Sequence, residues 1–160
     1  MTDLRVGLGY DVHPFADDRV LVLGGVHVPH VRGLLGHSDA DVLVHALMDA
    51  LLGAMRLQDI GAHFPDSDPA YAGISSIALL GHVAGLMEEH GWRLVDADLV
   101  VVLETPRIAP YRDEMRACIA AALGVGADRV GLKATTTEGL GFEGRGEGVA
   151  AQAVVLLEPA

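Results

Sequence analysis

The stretch LVDADLVVVL, residues 94–103, opens with acids set between apolar residues and closes on a near-continuous apolar run, Leu99 to Leu103. A run of that kind suits a strand buried on both faces. On its N-terminal side, Ser75 to His90 predicts a helix ended by Gly91, a residue that serves well just past a helix C-terminus. On its C-terminal side, Thr105 to Pro110 reads as a proline-bounded loop and Tyr111 to Leu123 as another helix. Val130–Thr135 and Val149–Leu157 read as closing strands, and EGLGFEGRGEG between them is too glycine-rich for regular structure. Upstream, Leu4 to Tyr10 reads as a strand, and Leu21–Leu23 with Val26–Val28 as a hairpin turning on Gly24-Gly25. Ser38 or Asp39 is placed to cap a helix reaching about Met55, with Leu43, Ala46, Leu47, Ala50 and Leu51 as its apolar stripe. QDIGAHFPDSDPAYAG, residues 58–73, reads as a long functional loop. The alternation of strands and helices predicts the α/β class: a single-domain sandwich over residues 1–160, with helices packed on one face of a mixed β-sheet.

Composition narrows the function. The formal net charge of −11 disfavours nucleic acid as a partner, because its binders cluster Lys and Arg. It also means that an anionic substrate needs local help from a metal, backbone N–H groups or a placed cation. No run approaches a membrane span, and the first residues have neither the basic start nor the apolar block of a signal peptide, so a cytoplasmic protein is expected. Cys118 is the only cysteine, which rules out an internal disulfide.

Asp11 and His13 stand two residues apart after the first strand, so in extended chain both point to one side. His45 lies on the first long helix, with Asp41 and Asp49 four residues away on either side. One carboxylate and two imidazoles make an O,N,N set that suits zinc and leaves a fourth position open. The same spacing also fits a hydrogen-bonded, partly buried histidine. His37-Ser38-Asp39 reads either as a helix cap or as an anion site at a helix N-terminus. Asp59, just before Ile60-Gly61, is placed to accept hydrogen bonds from a polyol, whereas Asp66 and Asp68 equally suit a solvated loop. In Lys133-Ala134-Thr135-Thr136-Thr137-Glu138, hydroxyls, N–H groups and the single lysine of the chain offer a diphosphate cradle at a strand end. Glu138 is a candidate ligand for a hard divalent ion that also touches phosphate.

Five segments together resemble one family: GxGxDVHxF (7–15), GGVxVP (24–29), GLLGHSDADVxxHAxxDALLGA (33–54), DIGxHFPDSDP (59–69) and KATTTExLGFxGRGEGxAAxAV (133–154). In order and spacing they are similar to the 2-C-methyl-D-erythritol 2,4-cyclodiphosphate synthases. The resemblance implies a phosphorus–oxygen lyase of the non-mevalonate isoprenoid precursor pathway. Its substrate would be 4-diphosphocytidyl-2-C-methyl-D-erythritol 2-phosphate, whose own 2-phosphate attacks the β-phosphorus and expels CMP. It further implies Zn2+ on Asp11, His13 and His45, with Mg2+ or Mn2+ on Glu138, bound with substrate. His37 and Ser38 would contact phosphates, and Thr136 and His37 would stabilise the transition state. Asp59, Ile60 and Gly61 with Phe64, Pro65, Asp66, Ser67 and Asp68 would hold the methylerythritol end. Leu103, Glu104, Thr105, Pro106, Arg107, Ile108 and Ala109 would line the cytosine pocket, and Ala134 to Thr137 would bind the diphosphate.

The resemblance also implies a homotrimer with sites shared between subunits. In support, helices in so short a chain cover one sheet face, leaving the other, with Val100, Val102 and Leu132 as candidates, to a partner. Around the trimer axis, Tyr10, Phe142 and Arg145 would line a central cavity open to an isoprenoid diphosphate. Tyr10 departs from the family pattern, which carries Phe before Asp11-Val12-His13. A zinc phosphohydrolase and a binding protein with a structural metal are the competing readings.

Overall fold

A computed structural model of the chain describes residues 3–160. Its main sheet has five strands in the order β4-β1-β7-β5-β6. These are β1 (Arg5–Ala16), β4 (Gly33–Leu34), β5 (Trp92–Val102), β6 (Val130–Thr135) and β7 (Gly148–Pro159). Only β5 and β6 run parallel, so the sheet is mixed as expected. The hairpin is also present, as β2 (Val22–Leu23) and β3 (Val26–His27). The long helices are α1 (Val42–Met55), α3 (Ser76–Glu89) and α4 (Arg112–Leu123), and two single turns are α2 (Ile60–His63) and α5 (Gly141–Gly144). No helix among the described residues is long and apolar enough to cross a membrane.

α1 lies directly on β1 and β7, and the reason is visible in β1. Its alternation sends Gly7 and Gly9 to the helix side and Val6, Leu8 and Tyr10 to the other. A Cβ on Gly9 would fall 1.8 Å from the Ala46 carbonyl oxygen, and one on Gly7 would fall 1.9 Å from that of Ala50. Two glycines on the strand and two alanines one helical turn apart thus let the backbones nearly touch. The core fills around this contact with Leu43, Leu47, Leu51, Leu99 and Val155, all buried.

Several boundaries differ from expectation. β1 continues through Asp11 and His13 instead of ending at Tyr10, because β7 pairs with it as far as Pro14↔Gly148. Neither Ser38 nor Asp39 caps α1. Ala40 sits at φ 57°, which delays the helix start, and Asp41 caps it by accepting from Val44 N at 3.2 Å. Asp41 also accepts the Gly24 and Gly25 N–H groups at 2.9 and 2.7 Å, tying the hairpin to α1. Burial pushes its carboxyl up to about 6, against the pull of those donors. Residues 58–73 contain α2 and a 3-10 turn at Pro69–Tyr71, capped by Asp59 and Asp68. The glycine-rich segment holds α5, a single turn opened by Gly141 at φ 72°.

The face of the sheet away from the helices is open. It exposes Val6 and Leu8 by 63% and 68%, together with Tyr10 and Val154. Val100 and Val102 lie half-buried on this face, but Leu132 does not. Paired with Leu99, it points into the core and is 7% exposed, because the strand alternation places Lys133 outward in its stead.

Candidate active site

Asp11 and His13 follow Gly7 and Gly9 on the helix-facing side of β1, so the close approach of α1 brings His45 onto them. His13 Nε2 lies 2.8 Å and His45 Nδ1 3.1 Å from Asp11 Oδ2, and the two ring nitrogens are 3.1 Å apart. Three donors on bonds of about 2.0–2.1 Å to a tetrahedral zinc would stand about 3.3 Å from one another. The observed triangle is close to one face of that tetrahedron, and it is the one such cluster among the described residues.

The far ring nitrogens decide the proton positions. His13 Nδ1 donates to the Leu35 carbonyl at 2.7 Å, which leaves Nε2 free to turn a lone pair inward. His45 Nε2 meets the Ser76 and Ser38 hydroxyls at 3.0 and 3.1 Å, so its inward nitrogen is Nδ1. Burial favours a neutral Asp11, but the hydrogen bonds and charge of His13 and His45 outweigh it and hold the carboxyl well below the usual range. Burial lowers His13, and Asp11, together with the Leu35 carbonyl and Asp41, more than reverses this. A carboxylate facing two imidazoles therefore draws positive charge to one point, and this donor set fits a divalent metal. A Cβ on Gly36 would sit 3.1 Å from His13 Cε1, so a glycine leaves room for that ring.

The triad stands at one wall of a cavity of about 510 Å3. Of the residues read from sequence, His37, Ser38, Ile60, Gly61, Phe64, Pro65 and Asp66 line it too. His37 Nε2 donates to the Asp68 carbonyl at 3.2 Å, which joins it to the loop after α2. The Asp59 carboxylate caps that turn on Ala62 N, Asp68 caps Ala70 N, and Ser67 is exposed beyond them. Asp49 accepts the Ile60 N–H at 2.8 Å, anchoring the loop to α1. The Ser38 hydroxyl is buried, engaged by His45 and by the Ala40 N–H.

Sequence reading missed Leu35, Met48, Tyr71 and Leu79 in the lining. Met48 was within reach of it, since it stands three residues from His45 on the same helical face. Tyr71 and Leu79 carry no local signal, because only the tertiary fold brings their segments here.

The second group of expected residues gathers elsewhere. Leu103 N–H donates to the Thr135 carbonyl at 3.0 Å, and Glu104 Oε1 accepts the Thr137 and Gly139 N–H groups at 3.1 and 3.3 Å. Residues 103–109 and 134–138 are thereby one cluster, with Thr135, Thr136 and Glu138 exposed on it. Leu103 and Ile108 are buried in the core beneath it, and Thr105, Arg107 and Ala109 are exposed. None of this cluster lines the triad's cavity. Cross-strand pairing runs Asp11↔Ala151↔Val101↔Ala134, three strand spacings or about 14 Å.

Two expected cations are engaged otherwise. Lys133 points to the open face and pairs there with Asp98, both side chains exposed. Arg145, exposed beside half-buried Phe142, makes two hydrogen bonds to Glu147 at 2.8 and 3.2 Å, which already matches its charge.

The sequence matches the family model of the YgbB family over residues 4–158. The chain belongs to the YgbB family. It is 57% identical to the 2-C-methyl-D-erythritol 2,4-cyclodiphosphate synthase of Syntrophomonas wolfei over 157 residues, covering 98% of this chain and 100% of the relative. Among solved structures it is similar to the bifunctional IspDF of Campylobacter jejuni, with TM-score 0.96 and 39% identity, all of this chain matching 43% of that one. It is also similar to the CDP complex of IspF from Plasmodium falciparum, with TM-score 0.86, 28% identity and coverage of 99% and 98%. The resemblance read from the five segments is thus confirmed, and this member of the YgbB family is a lyase-type enzyme.

Proposed function

We propose that residues 1–160 form one cyclodiphosphate synthase domain, which converts 4-diphosphocytidyl-2-C-methyl-D-erythritol 2-phosphate to 2-C-methyl-D-erythritol 2,4-cyclodiphosphate and CMP. The reading places the enzyme in the non-mevalonate route to isoprenoid precursors. The observation that carries it is the Asp11–His13–His45 triangle in a cavity whose rim is the His37 and 60–66 loops.

The substrate's 2-phosphate needs no strong base, since a phosphate monoester is largely ionised at neutral pH. The work left to the protein is alignment of two anionic groups for in-line attack. Asp11, His13 and His45 would hold Zn2+, and Glu138 Mg2+ or Mn2+ with the substrate, supplying positive charge to the phosphate oxygens that the −11 chain lacks. His37, tied to Asp68, and the Ile60-Gly61 and Phe64–Asp68 segments orient the polyol end. Backbone groups of Leu103–Ala109 and the Ala134–Thr137 turn take the cytidine end. Thr136, exposed beside Glu138, offers its hydroxyl where charge shifts toward the leaving CMP.

Incubation with the CDP-linked substrate and Mg2+, followed by phosphorus NMR, should show CMP and the cyclic diphosphate. A linear monophosphate would identify a hydrolase instead. Thr136→Ala should keep its zinc and lose on the order of 10- to 100-fold in kcat. A rise in KM alone would make Thr136 a ground-state contact.

The proposal includes a homotrimer in which each site pairs the triad of one subunit with the nucleotide cluster of its neighbour. Two observations support it: the separation of the two clusters within a chain, and the apolar open face with Val6, Leu8, Tyr10 and Val154. An isoprenoid diphosphate at the axis would lie against Tyr10, with Arg145 as its cation once Glu147 is displaced. Asp11→Ala and Thr136→Ala subunits, each inactive or impaired alone, should regain about a quarter of the sites when mixed equally and reassembled. Mixtures no better than the better parent, with exchange demonstrated by mass, would place both halves in one chain.

A further inference from the structure

His45 reaches the triad through Nδ1, and what stands behind its other nitrogen is a chain of groups with a fixed direction. Ser76, the first residue of α3, is fully buried, and its Oγ lies 3.0 Å from His45 Nε2. The Ser76 hydroxyl donates to Asp39 Oδ1, while the Ser76 N–H donates to Asp39 Oδ2 at 3.0 Å. An ionised carboxylate only accepts, so the hydroxyl proton of Ser76 is committed to Asp39. Ser76 Oγ then offers His45 only lone pairs, and His45 Nε2 must carry the ring proton. The lone pair of Nδ1 is left facing Asp11 and His13. Ser38 Oγ, 3.1 Å from the same nitrogen, accepts the Ala40 N–H and is free to rotate its own proton, so it imposes no direction.

We infer that Ser76 and Asp39 are positioning residues: Asp39, acting through Ser76, fixes the tautomer and ring orientation in which His45 presents Nδ1 as a metal ligand. The two lie 37 positions apart, Asp39 in the loop before α1 and Ser76 at the start of α3. Asp39 also holds the start of α3, where Ser75 makes no side-chain cap. This inference rests on the reading of Asp11, His13 and His45 as a metal site. It assigns to a segment outside the five family-like motifs a part in setting metal affinity. Hydrogen-bond partners of a ligating histidine typically govern affinity by about 10- to 100-fold.

The test is zinc affinity of the full-length protein, measured by competition with a chromophoric chelator, alongside the melting temperature of zinc-free protein. Ser76→Ala should bind zinc about 10- to 100-fold more weakly. Ser76→Thr, which keeps the hydroxyl, should restore most of that affinity. Asp39→Asn should weaken binding in the same direction, and the Ser76→Ala/Asp39→Asn double variant should be little worse than the weaker single one, since both act along one path. Losses that simply add would overturn the relay, as would a Ser76→Ala protein that melts earlier yet binds zinc like wild type. Wild-type protein that takes up no zinc would overturn the metal reading itself, a result distinct from either. If Ser76→Thr fails to fold, the double-variant comparison still decides.

Discussion

Replacing His45 by alanine should abolish turnover while leaving a folded, soluble chain. The residue is one vertex of a triangle whose sides measure 2.8, 3.1 and 3.1 Å, and two remaining ligands cannot hold zinc against water as three do. Without the proposed metal, the cavity would present the Asp11 carboxylate to the negative charges of the proposed polyanionic substrate. Loss of the positive charge that offsets them should cost at least about 10^3-fold in kcat/KM, or about 4 kcal/mol of transition-state stabilisation. The fold should survive, because α1 is held by Leu43, Leu47 and Leu51 in the core and by its Asp41 cap, none of which His45 supplies. Elemental analysis of the purified variant is the direct check. Full zinc occupancy in His45→Ala would remove His45 from the ligand set.

Gly9→Ala should be nearly as damaging, though it adds one methyl group. That methyl would stand 1.8 Å from the Ala46 carbonyl oxygen and 2.8 Å from Ala50 N, both backbone atoms that cannot rotate away. Relief requires α1 to lift from β1 by more than about 1 Å, opening the core beneath it. The expected loss is about 3 kcal/mol or more, at the upper end for overpacking. The lift would also carry His45 away from Asp11 and His13, so zinc affinity should fall together with the denaturation midpoint. A Gly9→Ala protein as stable as wild type would mean that the two backbones do not pack this closely.

Much of this was legible in the sequence because it is written in local periods. The alternation of β1 set Asp11 beside His13, and the stripe of α1 set which way the helix faces. The five segments carried the family. What escaped reading depends on contacts between distant segments. Ala40 in the left-handed region moved the start of α1 past Ser38 and Asp39, and no pattern around residue 38 announces it. The hydroxyl of Ser38 and the carboxylate of Asp39 then turned inward, to His45 and Ser76. Leu132 falls on the core side and not on the open face, because a six-residue strand with mixed polarity has no strong phase of its own. Its neighbour β5 fixes that phase by pairing Leu99 with Leu132. The sequence places the lone lysine beside three threonines at a strand end, but its proximity to Asp98 depends on a strand pairing that this local pattern does not reveal.

β1 carries two messages on alternate residues. Gly7, Gly9, Asp11 and His13 address the helix and the candidate metal site, while Val6, Leu8 and Tyr10 face the open side of the sheet. Loss or gain of one residue between Arg5 and His13 would exchange the two sets, thrusting bulky side chains at Ala46 and Ala50 and turning Asp11 and His13 outward. A change of two would restore the faces but slide the glycines off their alanines. The strand therefore tolerates substitution on its outer residues far more readily than any change in length. In the divergence of such chains, its spacing should behave as a ruler that point mutations can recolour but that insertions and deletions cannot recut.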